Sequence, residues 1–108
     1  MAGLAMKRYF HSMLETAILA AVAKYGRARR RDVQKDLAII FDGEGPTKGS
    51  VDVTLARLRR RGLVLGELKV IQYAKGGNKL SFVNTLTPEG RRVLLQAQVQ
   101  QARVWEGL

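Results

Sequence analysis

The sequence predicts a single α+β domain over residues 1–108, in which three helices precede a β-hairpin and a long C-terminal helix. Apolar residues recur at helical spacing as far as Gly62, and the pattern then changes to strand-like alternation. Helical spacing returns after Thr87. A chain of 108 residues can bury one hydrophobic core but not two. We therefore expect a core over residues 12–86 and a separate dimerisation helix over residues 87–106.

The charge of the chain points to a polyanionic partner. Nineteen Lys and Arg residues face nine Asp and Glu residues, which gives a net charge of +10. An excess of this size favours binding to nucleic acid or to an anionic membrane surface. No apolar run approaches the roughly 20 residues that span a bilayer, and the first residues do not have the order of a signal peptide. These features predict a cytoplasmic protein without a membrane partner.

Composition also argues against catalysis. The chain has no Cys, which excludes disulfides and Cys-ligated zinc, and its one histidine, His11, has no evident metal-binding or nucleophilic partner. Neither a phosphate-binding loop nor a useful pair of carboxylates is present. We therefore expect no catalytic residue, no metal and no cofactor.

Two helices are predicted before residue 42. Apolar residues at helical spacing predict the first over residues 10–25, ended by Gly26, and a shorter one over residues 30–41. Two alternatives remain for the segment with Leu4 and Met6, which either extends the first helix or forms an arm. Four arginines lie at the start of the second helix, where the helix dipole is already positive. They are Arg27, Arg29, Arg30 and Arg31. A phosphate bound at this helix start would explain them; the alternative is a solvated turn with incidental charge.

A third helix over residues 48–61 has two different sides. Val51, Leu55 and Leu58 form one apolar stripe, Thr47 is a candidate cap, and Gly62 ends the helix. The predicted outward side consists of Gly49, Val53, Ala56, Arg57 and Arg60, with Ser50 and Arg61 at its flank. Such a surface suits the major groove, because arginines reach phosphates or guanine edges and small apolar groups touch thymine methyls. The alternative is the solvated face of a core helix.

After Gly62 the pattern predicts a basic hairpin. Residues 63–74 and 80–86 are β-rich, and Leu80, Phe82 and Leu86 alternate with polar or smaller residues as in a half-buried strand. We expect positive φ angles at the tip, at Gly76, Gly77 and Asn78. Lys75 and Lys79 flank this tip, where they would meet the DNA backbone or the minor groove. Lysines at a hairpin tip also suppress edge-to-edge aggregation, which is the alternative explanation.

The last helix carries apolar residues on more than one side, which is typical of a helix that packs on its own domain and on a partner. Thr87, Pro88 and Glu89 form its predicted start. Together with the first residues of the chain, this helix is the predicted homodimer contact. The candidate interface residues are Phe10, Leu14, Leu95, Val99, Ala102 and Trp105.

Two motifs resemble those of winged helix-turn-helix regulators of the PadR and MarR groups. The pattern LxRLxxxGLV appears as Leu55, Arg57, Leu58, Gly62, Leu63 and Val64, and the pattern LTPEG appears at residues 86–90. The resemblance covers roughly residues 12–96. It implies a homodimeric transcriptional regulator, a repressor, on a pseudo-palindromic double-stranded DNA site. By resemblance, the DNA contacts fall on Lys48, Gly49, Ser50, Val53 and Arg57 of the helix and on residues 75–79 of the wing.

Other functions are compatible with a small, strongly basic winged helix. One is a plasmid or viral centromere-binding partition protein, or an architectural DNA-binding protein. Another is an RNA-binding winged helix, which the scarcity of exposed aromatic residues beyond Tyr73 disfavours. A winged helix used only for protein contact would have an acidic or apolar recognition face. The short C-terminal extension offers no obvious pocket for a small-molecule effector.

Overall fold

The computed structural model describes the backbone of residues 2–106 and the side chains of residues 12–104 and 106. Its elements follow in the order α1 (Ala2–Tyr25), α2 (Arg30–Ile40), α3 (Lys48–Arg60), β1 (Val64–Gln72), β2 (Asn78–Leu86) and α4 (Pro88–Glu106). The two strands form one antiparallel sheet. This α+β arrangement is a winged helix-turn-helix, with α2 and α3 as the helix pair and the hairpin as the wing, and the predicted fold class is confirmed. Among the described residues, no helix is long and apolar enough to cross a membrane.

Of the two alternatives for the first residues, an extension of the first helix or an arm, the structure has the extension. Helix α1 begins at Ala2 rather than near residue 10. The added residues contain Ala, Leu, Met, Lys and Arg, which are strong helix formers. Our prediction relied on the apolar periodicity of residues 10–25 and therefore placed the start where that pattern begins. The side chains of Phe10 and His11 lie outside the described residues.

The core forms where the four helices meet the base of the hairpin. The predicted apolar stripe of α3 is confirmed, because Val51, Leu55 and Leu58 are all buried. Leu14 is only 2% exposed in the single chain and packs in this core. The prediction of Leu14 as a dimer contact is therefore wrong, since almost none of its surface remains for a second copy. The other core residues are Ile18, Leu19, Ala21, Val22, Ala28, Val33, Leu37, Leu63, Val64, Leu86 and Leu94.

The two motifs identified in the sequence bind each other at the exit from the wing. Gly62 ends α3 with a φ of +74°. The Thr87 hydroxyl donates to the carbonyl of Gly62 at 2.7 Å and accepts from the Gly90 N–H at 2.9 Å, so that it both joins the two motifs and caps α4. The Thr87 N–H also donates to the Leu63 carbonyl at 3.1 Å. A side chain at Gly90 would place its Cβ 2.0 Å from that carbonyl oxygen, so this close approach requires glycine.

The wing extends beyond the core. Its register pairs Val64 with Leu86 at the base and Gln72 with Asn78 at the tip. Gly76 and Gly77 have positive φ angles as predicted, but Asn78 does not and instead begins β2. The expected half-buried strand is found only near the base. Further out, Leu68, Val70, Leu80 and Phe82 share one face and are exposed, and we call these four residues the wing apolar face.

A short β-bridge joins the wing to the arginine-rich turn before α2. The Ala28 N–H donates to the Asn84 carbonyl at 2.9 Å, and the Asn84 N–H donates to the Ala28 carbonyl at 2.7 Å. The turn is thereby fixed beside β2, at the end of the wing nearest the core.

Candidate nucleic-acid interface

A cleft of about 330 Å³ lies between α3 and the wing. It brings together the three basic elements predicted from the sequence, since Arg30 comes from the start of α2, Lys48 from α3 and Lys79 from the wing. The other lining residues are Asp52, Leu55, Arg59, Leu80, Ser81, Phe82 and Asn84. Four cations and one carboxylate line this cleft, so it is suited to an anionic partner.

The arginines at the start of α2 divide into two kinds. Arg29 and Arg30 are partly buried and hold local structure: the Arg29 Nε lies 3.9 Å from an Asp32 carboxylate oxygen, and the Arg30 Nε lies 3.7 Å from an Asp52 carboxylate oxygen on α3. Arg30 also donates to Gln34. Arg27 and Arg31 are exposed and form no ion pair with any described residue. These two remain available to bind an anion.

The N-terminal half of α3 presents the outward surface that the sequence predicted. Lys48, Gly49 and Val53 are exposed, and Ser50 is half-buried. Thr47 caps the helix as expected, accepting a hydrogen bond from the Ser50 N–H at 3.2 Å. Gly49 leaves open space, because a Cβ built there meets no atom within 4 Å. A nucleic-acid backbone or base edge can therefore approach this half of the helix closely.

Arg57 does not lie on that outward surface, and the prediction of its orientation is wrong. Its Nη1 is 3.2 Å from one carboxylate oxygen of Glu15 on α1, and the Arg61 Nη1 is 3.1 Å from the other. Position 57 lies at the border between the exposed and buried sides of α3, so its direction depends on the neighbour it meets. That neighbour is an acidic residue of α1. Arg60, by contrast, is exposed as predicted.

The Arg59 side chain points from α3 to the wing. The sequence analysis assigned no role to this residue. Its guanidinium lies 4.0 Å from the centre of the Phe82 ring and its Nη1 donates to the Asn84 side-chain oxygen at 3.0 Å. Burial lowers the pKa of the Arg59 guanidinium from its ordinary value, and the nearby Asp52 carboxylate acts in the opposite direction. One signal could have indicated the site. Asn84 has the same strand parity as Leu86, a core position where a polar side chain requires a partner.

The wing tip retains unpaired positive charge. Lys75 and Lys79 are exposed and form no ion pair with the described residues, whereas Lys69 lies 3.3 Å from Glu67. The predicted tip residues Gly77 and Asn78 are also exposed. Lysines placed in this way can contact phosphate oxygens without first breaking an internal ion pair.

The outer face of α4 carries the remaining predicted dimer residues. Leu95 and Val99 are 58% and 52% exposed, and Ala102 is also exposed. The Trp105 side chain lies outside the described residues. Within the described part of the chain, no group of acidic or histidine side chains has an arrangement that could hold a metal ion.

Comparison with known proteins identifies solved structures that share this fold. No protein-family model and no curated protein sequence matches this chain. A candidate transcriptional regulator from Thermoplasma acidophilum has a TM-score of 0.72 and 24% identity, covering 93% of this chain and 92% of its own. A PadR-like transcription factor from Bacteroides fragilis has a TM-score of 0.74 and 18% identity, covering 95% and 93%.

A further similar structure is that of Bacillus subtilis PadR in complex with operator DNA. Its TM-score is 0.66 at 21% identity, and the match covers 78% of this chain and 46% of that protein. At these identities the likeness concerns the fold. The resemblance to PadR-type regulators that the sequence motifs indicated is confirmed at that level.

Proposed function

We propose that this protein is a sequence-specific double-stranded DNA-binding protein that regulates transcription. The observation that carries the proposal is the cleft between α3 and the wing, where cations from three separate elements surround the exposed half of one helix. Solvation alone does not account for this clustering, because charges kept only for solubility have no reason to converge. Several of the cations nearby also have no carboxylate partner among the described residues. These are Arg27, Arg31, Lys48, Lys75 and Lys79.

In this proposal the N-terminal half of α3 enters the major groove. Gly49 allows close approach of the backbone, Ser50 offers a hydroxyl to a base edge, and the exposed Val53 contacts a thymine methyl. Lys48 and the arginines of the turn contact phosphates on one side, and Lys75 and Lys79 contact the backbone or the minor groove on the other. Phosphate contacts set the orientation of the protein, while the helix supplies the sequence preference.

We further propose that the protein acts as a homodimer on a pseudo-palindromic site. The exposed Leu95 and Val99 on α4 support this, because burying these apolar side chains against a second copy removes them from water and is favourable. Two-fold symmetry of the protein would then be mirrored in the DNA site. Repression requires only that the bound dimer occupy a promoter. The operator-bound structure of Bacillus subtilis PadR, which shares the fold, supports the choice of DNA as the partner.

The proposal is tested by fluorescence anisotropy over a series of salt concentrations. The probes are duplex DNA flanking the gene for this protein, a scrambled duplex of equal length and a single-stranded RNA. We expect the flanking duplex to bind roughly a thousandfold or more tightly than the scrambled one. The slope of log K against log salt then gives the number of phosphates contacted, at about 0.9 each.

Two outcomes would contradict the proposal. Equal and steeply salt-dependent binding to both duplexes would favour an architectural protein over a specific regulator. Tighter binding to the RNA would favour an RNA-binding winged helix.

A further inference from the structure

Asn84 is the residue at which the wing, the arginine-rich turn and α3 meet. It is fully buried, and both its backbone N–H and its carbonyl bond to Ala28. Its side-chain Nδ2 donates to the Ala28 carbonyl at 3.0 Å. The side-chain Oδ1 accepts from Arg59 at 3.0 Å. Arg59 is thus the residue of α3 that completes the hydrogen bonding of this buried amide.

The surrounding residues fit the arginine closely. The Phe82 ring lies under its guanidinium at 4.0 Å, a geometry in which the cation interacts with the ring face. Gly66, which pairs with Asn84 across the hairpin, leaves room for the aliphatic stem. A Cβ built at Gly66 would lie 2.4 Å from Arg59 Cδ and 3.0 Å from Phe82 Cδ1. Three residues from the two strands therefore form a slot for a single side chain of α3.

This slot provides the side-chain connection between α3 and the wing. Among the described side chains, the hydrogen bonds, ion pairs and ring contacts that join α3 to the wing strands all involve Arg59. Of the other charged residues of α3, Arg57 pairs with Glu15 of α1 and Asp52 pairs with Arg30 at the start of α2. Arg61, which follows the helix, also pairs with Glu15, whereas Lys48 and Arg60 form no ion pair with the described residues. Beyond the hydrophobic core at the base of the hairpin, the polar and ring contacts between α3 and the wing therefore depend on one residue.

We propose that Arg59 is a positioning residue that fixes the wing against α3, so that the two elements bind DNA as one unit. This inference rests on the proposed DNA-binding function. Arg59 lines the cleft, so a direct phosphate contact is the competing role to be distinguished. The planar guanidinium stacks on Phe82 and at the same time donates a hydrogen bond to Asn84. The ammonium group of a lysine cannot make both contacts.

The connection that Arg59 makes between α3 and the wing is tested without DNA, by hydrogen exchange of the free protein. In Arg59→Ala we expect faster exchange of the amides of residues 28, 64–72 and 78–86, while those of residues 12–25 and 88–104 keep their wild-type rates. Unchanged exchange in the wing would overturn the proposal, and so would equal acceleration throughout the chain, since this would indicate general destabilisation. This experiment tests the connection between α3 and the wing even if the wild type binds no duplex. Failure of the wild type to bind a duplex would refute the proposed function, not the role of Arg59.

The effect on binding is tested with a double-mutant cycle against the wing tip. We expect Arg59→Ala to weaken binding to the specific duplex by about tenfold or more. Lys79→Ala should weaken binding of the wild type, yet have little further effect in the Arg59→Ala background, because the wing is no longer held against the DNA. Lys48→Ala, on α3 itself, should have the same effect in both backgrounds. Full additivity of Arg59→Ala and Lys79→Ala would overturn the proposal.

Two substitutions separate positioning from direct phosphate contact. Arg59→Lys preserves the charge, so a direct contact predicts nearly wild-type binding, whereas positioning predicts a loss close to that of Arg59→Ala. Gly66→Ala leaves the charge of the chain unchanged but displaces Arg59 from its slot. We expect it to weaken binding in the wild type and to have a smaller effect in the Arg59→Ala background, where the contact with the arginine stem is gone and only the 3.0 Å approach to Phe82 Cδ1 remains. Wild-type binding by both Arg59→Lys and Gly66→Ala would overturn the proposal.

Discussion

At the scale of single residues, Gly90 allows α4 to pack directly against the rest of the chain. A Cβ at this position would lie 2.0 Å from the Leu63 carbonyl oxygen and 3.0 Å from Leu86 Cδ1. The carbonyl is held in place, since it also accepts a hydrogen bond from the Thr87 N–H at 3.1 Å. The backbone of α4 and the exit from α3 are therefore in direct contact.

Gly90→Ala should destabilise the protein although alanine is the better helix former. Alanine in place of glycine inside a helix normally stabilises by up to about 1 kcal/mol. Here the added methyl group overpacks the junction, and we expect a net loss of about 1–3 kcal/mol. Chemical denaturation followed by circular dichroism measures the change.

Gly49→Ala is the matched control for this substitution. Gly49 is also helical, but nothing lies within 4 Å of its built Cβ. This variant should have unchanged or slightly higher stability. If both variants changed the free energy of unfolding in the same direction by similar amounts, the steric explanation for Gly90 would be wrong.

The arginines of α3 show where sequence reasoning stops at this scale. Helical periodicity correctly predicted the buried Val51, Leu55 and Leu58, because apolar burial follows from the local pattern. It assigned Arg57 to the outward face and gave Arg59 no role. The partners that decide these directions, Glu15 and Asn84, are distant in the sequence. No pattern within the helix contains that information.

At the scale of elements, the wing tip should contribute to binding in a sequence-independent way. Lys75→Ala and Lys79→Ala should each weaken binding to specific and scrambled duplexes alike. Each should also reduce the slope of log K against log salt by about 0.9 if the lysine contacts one phosphate. Anisotropy titrations at several salt concentrations provide the slopes.

Arg103→Ala on α4 removes the same charge from an exposed position away from the cleft. It serves as the control once sedimentation shows that the variant, whose substitution lies beside Leu95 and Val99, keeps the wild-type mass. It should leave the slope unchanged. A reduction equal to that of the wing variants would mean that net charge, rather than the location of the wing lysines, determines the salt dependence.

The elements themselves were predicted with uneven success. Helices α2 and α3 have the predicted starts at residues 30 and 48 and end within one residue of expectation, because apolar spacing, a Thr cap and a glycine stop are all local signals. Burial of the wing was overestimated. Alternation shows that a segment is a strand, but burial requires an element to cover it, and a protruding two-stranded hairpin has none beyond its base.

At the scale of the whole molecule, Leu95→Glu should convert the proposed dimer into a monomer. Leu95 is 58% exposed on the outer face of α4, so a carboxylate there is tolerated in the monomer but would be buried at the interface. Sedimentation equilibrium at micromolar concentration measures the mass. Binding to the pseudo-palindromic site should weaken in parallel, because two half-sites are no longer held together.

Ile39→Glu is the corresponding control. Ile39 is another exposed apolar residue, but it lies on α2. This variant should sediment as the wild type does. A wild-type protein that is monomeric at these concentrations, or an Ile39→Glu variant that dissociates while Leu95→Glu does not, would contradict the proposed interface.

The wing apolar face also determines how the protein behaves when no nucleic acid is present. Leu68, Val70 and Leu80 lie in the open on a narrow hairpin, the kind of strand that pairs with its like in another molecule. The exposed Lys75 and Lys79 border this surface, and we expect their mutual repulsion to oppose the approach of two wings. Salt screens that repulsion as it screens attraction to phosphate. We therefore expect a buffer concentrated enough to release DNA from the proposed interface also to favour self-association of the wings, so that the lysines proposed to bind nucleic acid would also limit association of the free protein.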